Sequence, residues 1–225
     1  MGTAAAAQPV KLIVFDWGGV IEYHGPKDCC FLQAIRRLMT LQGFYPTSID
    51  AVENFISTMH RSGILIKHTD AELTSLVKQI YKTLGRTWYD GAAQDFRRAY
   101  TTAFECMPYV LGAVDMAKAG VRMGNVKLGI LSDLAAWDIS RLDRQVEPSQ
   151  FDYTWFSFKT GRTKKDEVTY NVVEREAGVL PQNILYFDNN AGNIQRAQQR
   201  GWQAHLVTCN QVKLMQTLIT EFLGV

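Results

Sequence analysis

Three short apolar runs of this chain end on side chains capable of polar chemistry. KLIVF (11–15) is followed by Asp16, VKLGIL (126–131) by Ser132 and Asp133, and NILYF (183–187) by Asp188 and Asn189. Two carboxylates at neighbouring strand ends, with a hydroxyl and a lysine from the same edge, make a site for a divalent cation and a phosphate. Asp16 and Asp188 offer oxygen, which suits Mg²⁺, and no histidine or cysteine cluster stands by to recruit zinc. An aspartate at a strand end also caps helices and closes turns. Each one alone therefore carries the structural reading, and only their convergence points to chemistry.

The elements that must position these residues follow from periodicity. The three runs, with WQAHLV (202–207), read as buried parallel strands, whose carboxyl ends are where open α/β sheets bind ligands. Helical patterns lie between the later strands at 135–146, 166–178 and 191–201, the last two closing on a glycine. Strand and helix alternate, so the expected fold is α/β, a doubly wound parallel sheet with right-handed crossovers. The aromatic run FDYTWFSF (151–158) reads as core packed near the next strand.

From 22 to 108 that rhythm breaks. Four helical stretches follow one another near 28–42, 48–62, 69–84 and 91–107, with no strand between them. The third opens on Thr69 and Glu72 in capping-box spacing, sets Leu73, Leu76, Val77, Ile80 and Leu84 on one face, and ends before Gly85. The expected organisation is a loose tail at 1–9, an α/β core made of 10–21 and 109–225, and an inserted helical cap at 22–108.

Composition narrows the partners. The 225 residues are 47% hydrophobic, enough for a full core, and 24 Lys and Arg balance 22 Asp and Glu. That balance supplies no basic field for nucleic acid and no polybasic patch for a membrane. The opening MGTAAAAQPV has neither a cationic start nor a long apolar core, and no later stretch is long enough to span a bilayer. Cys29 and Cys30 are adjacent while Cys106 and Cys209 stand alone, so no disulfide framework can be read and a reduced cytoplasmic setting is expected. The expected partner is a small molecule, and the protein a monomer or homodimer.

The order of the segments resembles the haloacid dehalogenase-like (HAD) superfamily. IVFDWGGVI is similar to its first motif, D-x-D-G-[TV] after an apolar strand, and LGILSD to its second. GRTKKDEVTY follows G-x-x-K-P-D-x-x-x-Y, which places the motif lysine at Lys164, and ILYFDNNAGNIQRAQQRG follows D-D-x-x-x-N-[IV]-x-x-A-x-x-x-G. The resemblance implies a Rossmann-like core with a helical cap and a Mg²⁺-dependent phosphatase acting on a small phosphorylated metabolite. Asp16 would be the nucleophile, forming an aspartyl-phosphate that water hydrolyses. Ser132 and Lys164 would hold the phosphoryl oxygens, with Mg²⁺ on Asp16, the main-chain carbonyl of Gly18, and Asp188. Asn189 and Asn193 would stand behind these ligands.

The chain departs from the family pattern at several positions. Gly18 replaces the second aspartate of D-x-D, which serves as general acid and base and is typically worth about 10² to 10⁴ in rate. Asn189 replaces a second aspartate, Asp133 an asparagine, and Lys165 and Glu167 two prolines. Three accounts of Gly18 stand. In the first, the leaving group is already good or another group substitutes, Glu22 and His24 being nearest in sequence. D-x-G-G-V resembles the α-D-glucose-1-phosphate phosphatase type, which favours this account and a sugar phosphate. The second is a different hydrolysis, resembling phosphonoacetaldehyde hydrolase with a Schiff-base lysine at Lys27 or Lys67, or a metal-free L-2-haloacid dehalogenase. The third is a non-catalytic binding protein. Gly19 is expected to let the backbone turn sharply beside the phosphate.

Overall fold

The computed structural model describes residues 9–22, 30–45, 48–61, 70–104, 111–121, 125–139, 142 and 150–225. Five parallel strands form one sheet: β1 (Lys11–Phe15), β2 (Val126–Ser132), β3 (Tyr153–Phe156), β4 (Ile184–Asp188) and β5 (Gln203–Leu206), in the order β3-β2-β1-β4-β5. The chain winds from β1 outward to β2 and β3, then returns to the other side of β1 for β4 and β5. The order thus reverses at β1, and ligand crevices open at such a reversal, beyond the strand carboxyl ends.

Alternating side chains of the strands feed two cores, as period-two geometry requires. On one face Ile13, Phe15, Leu128, Ile130, Leu185 and Phe187 meet helices α5 (Gly112–Val121) and α9 (Val212–Leu223) through Val114, Ala117, Met215 and Ile219. On the other, Leu12, Val14, Leu131, Ile184 and Tyr186 meet α7 (Val168–Ala177) and α8 (Ala191–Gln199) through Tyr170, Val173, Ile194 and Ala197. This is the doubly wound sheet expected from the alternation of strand and helix. A one-turn helix, α6 (Ser157–Thr160), follows β3 directly.

Helices α1 (Cys30–Leu41), α2 (Ile49–Arg61), α3 (Asp70–Thr83) and α4 (Ala92–Phe104) come where four successive helices were expected. Leu38, Val52, Phe55, Val77, Ile80 and Phe96 surround a third core, which belongs to these helices. On α3 the apolar face is realised, with Leu73, Leu76, Val77 and Ile80 buried and Leu84 half-buried against them. Its capping threonine, Thr69, lies outside the described residues, as do residues 1–8 of the expected tail.

The aromatic run at 151–158 is core as expected, with Phe151, Trp155, Phe156 and Phe158 buried. It contains the fifth strand itself, β3, paired with β2 from Gly129↔Tyr153 to Ser132↔Phe156. Four residues are too few to show a period, and the mixture of half-buried Tyr153 and Thr154 with buried Trp155 and Phe156 masks the alternation. Packing explains the placement. Trp155 lies so close over Gly129 that a Cβ there would stand 2.5 Å from its ring. Of the helix expected at 135–146, the described residues show a 3₁₀ turn, Ala136–Asp138, and helical Ile139 and Leu142, while residues 140–141 and 143–146 lie outside the described residues. No described helix is long and apolar enough to cross a membrane.

Candidate active site

Strand register brings the polar ends together. Phe15 is level with Phe187 on one side and with Ile130 on the other, so Asp16, Asp188 and Ser132 end three adjacent strands. The Asp16 main chain continues the pairing by donating its N–H to the Phe187 carbonyl at 2.8 Å. Asp16, Ser132, Lys164 and Asp188 are all nearly buried, with exposures of 5, 3, 4 and 0%.

Lys164 links the two carboxylates. Its Nζ lies 2.8 Å from Asp16 Oδ1 and 2.8 Å from Asp188 Oδ2. The loop after α6 delivers it, and the Lys164 main-chain N–H donates to Asp133 Oδ1 at 2.9 Å. The Tyr170 hydroxyl donates to the Lys164 carbonyl at 3.1 Å. Asp133 thus pins the backbone that carries the lysine.

The hydrogen bonds are unevenly shared between carboxylate oxygens. Asp16 Oδ1 accepts from Lys164, from Ser132 Oγ at 2.8 Å and from the Trp17 N–H at 2.6 Å. No described residue donates to Asp16 Oδ2. Asp188 Oδ2 accepts from Lys164, Tyr186 Oη and Asn193 Nδ2, the last at 3.0 Å, while among the described residues Oδ1 accepts only the Asn190 N–H at 2.7 Å. A carboxylate has about four acceptor positions, so each aspartate keeps an oxygen with capacity to spare.

Burial pushes the Asp16 carboxyl up to about 6, Asp188 adds to the rise, and the Lys164 ammonium and the Ser132 hydroxyl oppose it. Burial acts the other way on Lys164. The carboxylates of Asp16, Asp188 and Asp133 outweigh it and hold the ammonium above the usual lysine value. Lys164 therefore stays charged, and so does Asp16 in most molecules above pH 7.

Trp17 to Glu22 form a tight turn. The Gly19 N–H donates to the Glu22 carbonyl at 2.9 Å, the Glu22 N–H donates to the Trp17 carbonyl at 2.8 Å, and Gly19 adopts φ +78°. That conformation is the physical reason for glycine at 19, because a Cβ there is strained. The Gly18 carbonyl accepts no hydrogen bond from a described residue. Two buried carboxylates with spare oxygens and an unengaged carbonyl form an all-oxygen donor set, which fits Mg²⁺. Among the described residues no group of three or more His, Cys, Asp or Glu side chains could hold a metal.

The structure thus brings Asp16, Ser132, Lys164, Asp188 and Asn193 together, with Gly18 beside Asp16. Asn189 follows Asp188 directly and is exposed. Glu22 is buried in the turn. His24, Lys27 and Lys67 lie outside the described residues. Sequence reading missed Tyr186, Asn190 and the structural use of Asp133. A tyrosine two positions before a strand-end aspartate shares its face of the strand, the one signal available for Tyr186.

A further buried carboxyl lies on the loop after β2. Asp138, 2% exposed, accepts from the Ala135 N–H at 3.1 Å and from the Tyr100 hydroxyl of α4 at 3.2 Å. Ala135 itself packs into the core of α1–α4. Burial pushes Asp138 up to about 7, against the pull of those two donors. The folded protein keeps a proton there that the unfolded chain releases near pH 4, so this group's contribution to stability is lost as pH rises toward 7. Asp138→Asn retains an acceptor and carries no charge. It is expected to raise stability at pH 8 by about 2 to 4 kcal/mol and to change little at pH 4, read from urea melts at both values.

No protein-family model matches the chain, and comparison with curated proteins gives no match. Solved structures do match. A HAD family enzyme from Bacteroides thetaiotaomicron, in complex with magnesium and inorganic phosphate, superposes with a TM-score of 0.64 at 14% identity, covering 90% of this chain and 96% of that one. A predicted HAD-like family hydrolase from Porphyromonas gingivalis gives 0.66 at 16% identity, covering 94% and 98%. The L-2-haloacid dehalogenase of Xanthobacter autotrophicus gives 0.57 at 18% identity, covering 87% and 76%. This chain therefore has the fold of the HAD hydrolases, a Rossmann-like parallel sheet with the same overall course.

Proposed function

We propose that the protein is a Mg²⁺-dependent phosphatase of the haloacid dehalogenase-like superfamily, acting on a small phosphorylated metabolite such as a sugar phosphate. The observation that carries this reading is the Lys164 ammonium placed 2.8 Å from both Asp16 and Asp188 at the switch point of the sheet. The Bacteroides enzyme of the same fold binds magnesium and inorganic phosphate, which supports the choice of cation and substrate class.

In this reading Asp16 Oδ2, which no described donor occupies, attacks phosphorus. The bond from phosphorus to the leaving oxygen breaks, and an aspartyl-phosphate forms on Asp16. Ser132 and Lys164 orient Asp16 through its other oxygen and, together with the turn at Gly18 and Gly19, face the phosphoryl oxygens. Water then attacks phosphorus, the acyl oxygen leaves, and Asp16 and inorganic phosphate are released. When bound by Asp16, Asp188 and the Gly18 carbonyl, Mg²⁺ supplies the positive charge that lets an anionic nucleophile approach a phosphate dianion.

Gly18 offers no proton to the departing oxygen, so the preferred substrates are those whose leaving group needs little help, anomeric sugar phosphates or acyl phosphates. Helices α1–α4 serve as the cap in this reading, closing over the strand ends to exclude bulk water. Their contact with the site loop runs through Ala135 and the Tyr100 to Asp138 hydrogen bond.

The test is phosphate release from sugar phosphates, acyl phosphates and p-nitrophenyl phosphate, with Mg²⁺ and with EDTA. Release is expected with Mg²⁺, to fall to background in EDTA, and to rank substrates by leaving-group acidity. Release that survives EDTA would remove the metal from the mechanism. Binding of Mg²⁺ and phosphate without turnover of any substrate would instead favour the non-catalytic account.

A further inference from the structure

We propose that Tyr186 is a positioning residue for the cation, its hydroxyl occupying Asp188 Oδ2 so that Oδ1 is the oxygen left for the metal. The inference rests on the Mg²⁺ reading of this site. Tyr186 is fully buried on β4, and its hydroxyl donates to Asp188, two residues on and on the same face of the strand. Its ring is fixed edge-on against Trp202, at 5.7 Å and 84°, and Trp202 is fixed against Tyr170 at 5.3 Å and by an indole N–H to Glu174 at 2.8 Å. The hydroxyl cannot swing away without opening this cluster.

Packing alone asks only for a phenylalanine at 186. The hydroxyl adds a buried polar group, and such groups persist where they are bonded. Its partner is the carboxylate at the centre of the candidate site. Lys164 and Asn193 bond the same oxygen, giving Oδ2 three donors and Oδ1 one. Asn189, the neighbour expected to support the ligand, is exposed. Tyr186 and Asn193 hold Asp188 from the core side.

Removing a group that orients a metal ligand typically costs about 10- to 100-fold in affinity or activity. Tyr186→Phe keeps the ring against Trp202 and deletes only the bond to Asp188. Tyr81→Phe is the control, because it deletes a buried hydroxyl in the core of α1–α4 that bonds the Gln42 side chain and not Asp188. The measurement is calorimetric titration of Mg²⁺ alone into the metal-free proteins, with melting temperatures taken in parallel. Tyr186→Phe is expected to weaken Mg²⁺ about tenfold while Tyr81→Phe stays near wild type. Equal affinity in wild type and Tyr186→Phe, or equal weakening in both variants, overturns the positioning role and leaves the phosphatase reading standing. Failure of the wild type itself to bind Mg²⁺ overturns both.

Discussion

Asp16→Asn is expected to abolish phosphate release, a loss of about 10⁴-fold or more, because no other described group reaches the position of its carboxylate. The variant should remain folded. Asparagine keeps an oxygen to accept from Ser132, Lys164 and the Trp17 N–H, the three donors that hold Asp16 Oδ1. Stability separates chemistry from collapse. The metal-free wild type has Asp16 raised from 3.8 to about 6 by burial, so the folded protein binds a proton more tightly than the unfolded chain. That contribution is lost between about pH 4 and pH 6. A neutral amide escapes this loss, and the variant's urea midpoint at pH 7.5 should equal or exceed that of the metal-free wild type. Its thermal shift with Mg²⁺ should shrink, since one of two carboxylates no longer carries charge. Phosphate release by Asp16→Asn at a measurable fraction of the wild-type rate would remove Asp16 as nucleophile.

Lys164→Met is the second large effect, and it acts on both stability and rate. Lys164 is the single ammonium shared by Asp16 and Asp188, and all three side chains are no more than 7% exposed. Removing one member of a buried ion pair leaves an uncompensated charge and typically costs about 3 to 5 kcal/mol. Here two carboxylates are left facing one another. The metal-free variant should therefore unfold at markedly lower urea than wild type, and more so at pH 8 than at pH 5, where protonation of Asp16 relieves the repulsion. Saturating Mg²⁺ should recover much of the difference, because a cation on the same oxygens replaces the missing charge. Catalysis should not recover with it. A positioned donor facing the charge that develops in a transition state is worth about 10² to 10³ in rate, and methionine supplies none. The two readouts are Mg²⁺-dependent urea melts and phosphate release at saturating Mg²⁺. If Mg²⁺ restored activity together with stability, Lys164 would be only a placeholder for the metal.

Several features of this molecule were legible in its residues alone. Four of the five strands were readable as apolar runs, because a strand buried on both faces needs hydrophobic side chains at every position, as Leu12 to Phe15 and Ile184 to Phe187 supply. The helices at 30–104 were readable because each keeps a 3.6-residue apolar stripe, as Leu73, Leu76, Val77 and Ile80 do on α3. The requirement for glycine at 19 was also local, being a matter of one backbone angle. Strand β3 was not legible, since four residues cannot display a period and its placement depends on Trp155 packing over Gly129.

The residue types of the candidate site belong to the same local information, for Asp16, Ser132 and Asp188 each follow an apolar run. Which oxygen of each aspartate is occupied was decided elsewhere. Lys164 lies 148 residues from Asp16 and 24 from Asp188 in the chain, and only the register of β1 against β4 and the bond from Asp133 to its backbone put one ammonium between both. Tyr186 faces Asp188 because a strand repeats every two residues, but its ring is locked by Trp202, which belongs to the approach to β5. Buried Asp138 meets Tyr100 across 38 residues through the packing of α4 on the loop after β2. Local sequence determines which side chains stand at strand ends, since backbone geometry there depends on near neighbours. Charge, burial and proton affinity depend on distances between segments remote in sequence, and those distances exist only once the sheet and its helices have packed.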